Sequence, residues 1–157
     1  MPRMYTVVDE NRAYVTTDGD VDFLELDAAA DKPIELVGLK IHVLTEVQEA
    51  QEEWLRFKII RGHTTSGNGT AVTARPVSPA DAAAGFVAEC YAPTIASVGT
   101  AVDLDAFGVQ VRAGDQIIYP EGCSFWTYGA ELLVVRLMAA PLDNLNYTLS
   151  AYVKEYP

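Results

Sequence analysis

The chain has 157 residues, half of them hydrophobic and 21% charged, which fits one soluble globular domain with its own core and excludes a disordered chain. Its 22 acidic residues against 11 basic ones leave a net charge of −11, which repels phosphate backbones and anionic lipid and predicts neither a nucleic-acid nor a membrane partner. The acidity is concentrated in residues 1–53, with 13 acids and 4 bases, and no apolar run reaches the roughly 18 residues of a bilayer span, so neither a membrane anchor nor a secretion signal is expected.

In chain order, residues 1–10 read as an extended N-terminal arm, with short strands expected at 4–8, 13–17 and 21–27. Asp18-Gly19 between them has the chemistry of a hairpin turn. Asp18, Asp20 and Asp22 begin like a calcium loop, but Phe23 and Ala29 stand where glycine and glutamate are required, which leaves only a looser surface site. Alternation of Val37, Leu39, Ile41 and Val43 with Gly38, Lys40 and His42 predicts a half-buried strand, and Leu55, Phe57 and Ile59 predict another. The acidic stretch 45–53 between them suits an exposed connection.

Gly62 to Gly67 have the two-glycine spacing of a phosphate loop, yet Asn68-Gly69 replace the required lysine and hydroxyl residue, so the reading is an inter-strand loop. A further strand is expected over 69–75. Ser78, Pro79 and Gly85 bracket the one stretch with helix signals, little more than a turn. Alternation resumes with Phe86, Ala88, Cys90 and Ala92, and again with Phe107, Val109, Val111 and Ala113.

Cys90 shares the core parity of its strand, while Cys123 falls in a turn; a disulfide between them is left open. His42 and His63, the only histidines, lack the spacing of a metal site, and no cofactor or metal is expected. Phe125, Trp126 and Tyr128 lie between two glycines, either as a protein-binding tip or as a strand packed under a loop. Residues 132–138 are apolar on both faces apart from Arg136, which predicts a central strand or a subunit contact. Leu145, Tyr147, Leu149, Ala151 and Val153 close the chain with the cleanest alternation. Many short strands with little helix predict an all-β fold, an antiparallel β-sandwich or jelly roll forming a single domain over residues 1–157.

Two stretches, Leu55-Arg56-Phe57-Lys58-Ile59-Ile60-Arg61-Gly62-His63-Thr64-Thr65-Ser66-Gly67 and Glu131-Leu132-Leu133-Val134-Val135-Arg136-Leu137-Met138-Ala139-Ala140-Pro141-Leu142-Asp143, resemble small structural proteins of tailed bacteriophages. With the closing strand over 148–155 the likeness spans most of residues 33–157, and it is nearest to head decoration, or cement, proteins. The resemblance implies a non-enzymatic homotrimer on the outer capsid surface of the virion, bound between major capsid protein subunits. A tail, baseplate or fibre module binding protein or glycan is the alternative, and a jelly-roll enzyme a third class. The expected contact residues are Pro2, Arg3, Met4 and Tyr5 at the chain start and Phe125, Trp126 and Tyr128 at the aromatic tip.

Overall fold

A computed structural model describes residues 1–44 and 52–157. Twelve strands form two antiparallel sheets facing each other across one hydrophobic core, a β-sandwich with no α-helix among the described residues. The strands are β1 Arg3–Tyr14, β2 Val21–Asp27, β3 Ile34–Val43, β4 Trp54–Thr65, β5 Thr70–Val72, β6 Arg75–Pro76, β7 Val87–Ala92, β8 Ser97–Gln110, β9 Asp115–Ile118, β10 Phe125–Thr127, β11 Leu132–Leu137 and β12 Leu145–Glu155. The first sheet runs β10-β3-β12-β1-β6, with β9 pairing β3 beside β10; the second runs β5-β7-β2-β11-β4-β8.

Period-two burial builds most of the core, but β3 departs from the expected alternation: an irregularity opposite Tyr152 and Val153 leaves Leu36, Leu39 and Ile41 buried and turns Val37 to the outer face. Tyr147, Leu149, Ala151 and Val153 of β12 face Leu39 and Ile41 of the neighbouring β3 row, and across the core they meet Phe23, Phe57 and Leu133 from the other sheet. Ala88, Cys90 and Ala92 are buried on alternate positions of β7, again as expected.

β11 is central, between β2 and β4, and buried on both faces. Leu133, Val135 and Leu137 enter the main core, while Leu132 and Val134 join Ile60 and Ala96 in a second small cluster on the outer side. Arg136 shares that outer side, donating to Asp22 at 2.5 and 3.0 Å and to the Ala96 carbonyl at 3.0 Å. Both faces are thus covered within one chain. The apolar strand needs no subunit contact to explain it.

Several expectations are corrected. Residues 3–14 are not an arm but a 12-residue strand held between β12 and β6, because Tyr5 and Val7 alternate into the core and the backbone pairs with Leu145 to Glu155. The segment expected as a strand at 4–8 lies in this one strand, of the one expected at 13–17 only Ala13 and Tyr14 belong to it, and the strand is bent by an irregularity between Asp9 and Arg12 where Asn11 has φ 53°. Asp18-Gly19 is no hairpin: a 3₁₀ turn at Thr16–Asp18 carries the chain from one sheet to the other.

Residues 78–84 make only a turn, Asp81 N–H donating to the Ser78 carbonyl at 3.1 Å, since so short a segment cannot repay helix nucleation. Residues 45–51 of the acidic connection lie outside the described residues. Both cysteines are free thiols, Cys90 buried and Cys123 exposed. The three aspartates do not converge, since Asp22 is buried against Arg136 and Asp18 accepts a hydrogen bond from Tyr91.

Candidate functional site

The two groups of contact residues expected from the sequence meet on the outer face of the first sheet. Trp126 of β10 pairs with Glu35 of β3, Glu35 with Lys154 of β12, and Lys154 with Met4 of β1. These four residues form one row across four strands, spanning about 14 Å at the usual strand spacing. Val77, whose N–H donates to the Met4 carbonyl at 2.9 Å, extends the row past the sheet edge.

Register turns one member of each expected group inward. The neighbouring row, Phe125, Leu36, Val153 and Tyr5, points inward, so Tyr5 and Phe125 pack toward the core instead of joining the outer face. Tyr5 is fully buried, meets Phe86 edge-on at 5.6 Å and donates from its hydroxyl to the Ala82 carbonyl at 3.1 Å. Phe125 packs edge-on against Tyr119 at 4.7 Å. Pro2 and Arg3 are exposed at the sheet corner, and Tyr128, 69% exposed, stands on the turn after β10. Trp126 is 40% exposed and leans on Tyr156, ring centroids 4.4 Å apart and planes at 32°.

A groove enclosing about 540 Å³ lies along this face. Its floor carries Met4, Val37 and Tyr152, and Val77 and Ile118, each 58% exposed, stand on opposite sides. Gly38 makes room for Ile118: a Cβ there would lie 2.7 Å from the Ile118 Cδ1. Glu35 organises one end, buried yet ionised. It accepts hydrogen bonds from Ser124 and from Tyr156 (2.5 Å), and Lys154 lies 3.6 Å away. Burial works to raise its carboxyl; the bonds from Ser124 and Tyr156 and the Lys154 charge outweigh it and hold the group below its ordinary value. With its lone pairs engaged, Glu35 ties β10 and the chain's last residues to β3 and keeps Trp126 in place.

Glu35, Tyr152 and Tyr156 were not among the expected site residues. Lys154 was legible as a member of the polar face of the last strand, but its neighbours across the sheet follow only from register. Elsewhere the two histidines stay apart: His63 is buried with Nδ1 3.2 Å from the Val98 carbonyl and Nε2 without a partner, while His42 lies beside Gly114 at the other end of the sheets. Among the described residues no three His, Cys, Asp or Glu side chains are grouped to hold a metal. The glycines of the phosphate-loop-like stretch serve close packing: a Cβ at Gly67 would lie 1.6 Å from the Thr94 carbonyl oxygen, and one at Gly62 2.1 Å from that of Thr100. No protein-family model, no curated protein and no solved structure matches the chain, so what it does is argued from this geometry.

Proposed function

We propose that the protein is a structural virion protein that decorates and stabilises the outer capsid surface of a tailed bacteriophage, binding between major capsid protein subunits without catalysis or cofactor. The observation that carries the reading is the row Trp126, Glu35, Lys154 and Met4: Met4, the Glu35–Lys154 pair and the apolar Val37, Val77 and Ile118 line a groove, and Trp126, next to Glu35 in the row, stands part-exposed beside it. Such a surface suits a protein partner, since aromatic anchors in fixed surroundings dominate interface energy. The resemblance of residues 55–67 and 131–143 to phage structural proteins points the same way.

A homotrimer belongs to the proposal on the strength of that resemblance alone, because β11 is covered inside one chain. Three linked weak contacts raise overall affinity by about 10²–10⁴ when all engage together. Addition of purified protein to undecorated heads, followed by sedimentation and electron microscopy, tests the reading. Trp126→Ala and Ile118→Asp should each weaken head binding by more than about 1 kcal/mol per contact with the circular dichroism spectrum unchanged. Binding to tails instead of heads would favour a tail or fibre module, and no binding to either would remove the virion reading.

A further inference from the structure

Four of the five terminal or side strands are too short to recruit a partner: β5, β6, β9 and β10 have three, two, four and three residues. β8 is different, a 14-residue strand at the edge of the second sheet with nothing beyond it among the described residues. Natural edges this long are blunted by bulges, charges or prolines. The first half of β8 is blunted. Its pairing with β4 breaks twice, opposite Ile59/Ile60 and Arg61/His63; Val98 and Gly99 have φ of 60° and 76°; and Asp103 and Asp105 carry charge, Asp105 accepting a 2.9 Å hydrogen bond from Tyr119.

The second half is less defended: the Ala106 N–H is taken by the Asp105 carboxylate at 2.8 Å and the Gln110 carbonyl by the Ala113 and Gly114 N–H groups, which leaves the Ala106 carbonyl, both backbone groups of Gly108 and the Gln110 N–H facing outward without a partner among the described residues. Ala106, Phe107, Gly108, Val109 and Gln110 pair with β4 in unbroken register and carry neither charge nor proline. Beside them a cleft of about 520 Å³ is lined by Arg56, Lys58, Phe107 and Met138. On the outer face Gly108 and Ala106 stand opposite Arg56 and Lys58, so nothing taller than a methyl group separates these cations from the space beyond the edge. A strand added there would lie two strand spacings from β4, about 9–10 Å, within reach of an arginine meeting a carboxylate. Lys58 already pairs with Asp103 at 2.5 Å, whereas Arg56 makes no ion pair among the described residues. Trp54, 63% exposed, lies against Gly108 and walls the far end.

We infer that residues 106–110 of β8 form a strand-addition site for an extended acidic segment of a partner protein, whose backbone pairs with the open edge while a carboxylate on its outer face binds Arg56. This site lies on the opposite sheet from the groove and does not depend on it. Backbone pairing supplies affinity without regard to sequence, and Arg56 supplies the preference for acidic side chains. A second copy of this strongly acidic chain is the disfavoured occupant, on charge alone.

The test uses the full-length protein and a fluorescent seven-residue peptide of alternating glutamate and valine, with its lysine counterpart and two versions N-methylated on alternate amides. Saturable binding of the acidic peptide is expected, weakened by about tenfold or more by lysine in place of glutamate and by Arg56→Glu or Arg56→Met. One N-methylated version should lose binding and the other keep it, since only one edge of an added strand pairs with β8. Hydrogen exchange should slow at 106–110 on binding. No saturable binding at millimolar peptide, equal behaviour of the two N-methylated versions, or equal binding of the lysine peptide would overturn the inference. So would a concentration-dependent dimer that protects 106–110 without peptide.

Discussion

Tyr147 lies flat on Phe23, ring centroids 4.1 Å apart, yet its buried hydroxyl has no hydrogen-bond partner, and burial raises its phenol well above the ordinary value. A buried hydroxyl without a partner costs desolvation and returns nothing. Tyr147→Phe is therefore expected to leave stability unchanged or raise it by up to about 1 kcal/mol in urea denaturation. Tyr14→Phe should do the reverse, losing about 0.5–1.5 kcal/mol, because the Tyr14 hydroxyl donates to the Gly19 carbonyl at 2.7 Å. Truncating fully buried packing is costlier: Phe57→Ala or Leu149→Ala should lose about 2–5 kcal/mol through lost burial and a residual cavity. The thiols separate as clearly. Burial pushes Cys90 up to about 12, so native protein should react with a thiol reagent at Cys123 alone, and two equally fast thiols would mean that β7 is not packed as described.

At the scale of elements, the outer face of the second sheet is held under two connections by buried charge. Asp22 accepts from the Ala96 N–H at 2.6 Å, and Glu25 accepts from the Gly67 N–H at 3.1 Å to each oxygen. Ser66 donates to Glu89 at 2.5 Å beside them. Burial, reinforced by Asp22, pushes the Glu25 carboxyl up to about 7 against the bonds from the Gly67 N–H. Below the ordinary value near 4.5 both folded and unfolded chains hold that proton. As pH rises from about 4.5 to about 7 the unfolded chain releases it while the folded one keeps it, so stability falls across that window. The loss should be about 1–3 kcal/mol between pH 5 and pH 8, and Glu25→Gln should abolish this part of the pH dependence. Glu35 acts with the opposite sign, its contribution being lost as pH falls below its unfolded value, so comparing the variant with the parent isolates Glu25. Gly67→Ala should cost more than about 2 kcal/mol by driving the two connections apart. Asn68→Ala should cost about 1 kcal/mol, since its side chain is exposed but its φ is 56°.

For the molecule at large, the pairing pattern is unusual in one respect: among the described residues no two strands adjacent in the chain pair with each other. β1 pairs with β12 and β6, β2 with β11 and β7, and β4 with β8 and β11. Every ladder must close a loop before any pairing repays it, and no hairpin forms on its own to begin the sheets. Folding should therefore be slow, in the millisecond-to-second range, when followed by stopped-flow fluorescence of Trp54 and Trp126. A microsecond main phase would contradict the topology. The same topology stiffens the site, because Met4 and Trp126, far apart in the chain, are joined through two internal strands of one sheet.

The amino-acid sequence by itself determined the fold class and most of the core, because period-two alternation is a local property and survives in the first half of β4, in β7 and in β12, whereas the bulge in β3 turns Val37 out of the core. It also marked residues 132–138 as a strand covered on both faces, centrally or at a subunit contact, and only the structure chose the central place between β2 and β4. It did not reveal the first half of β8, where two irregularities interrupt alternation, nor β9, whose four residues are too short for a period to register. Nor could it say which strands pair. Turn chemistry at Asp18-Gly19 looks the same whether the chain returns beside itself or crosses to another sheet, and here it crosses. The candidate site depends on that choice. Met4 and Trp126 were visible as separate signals, but Tyr5 and Phe125 carried equal weight beside them. Only pairing through β3 and β12 decided which member of each pair faces solvent, because register assigns a side chain to core or surface and register between distant strands is set by the packing of both sheets at once.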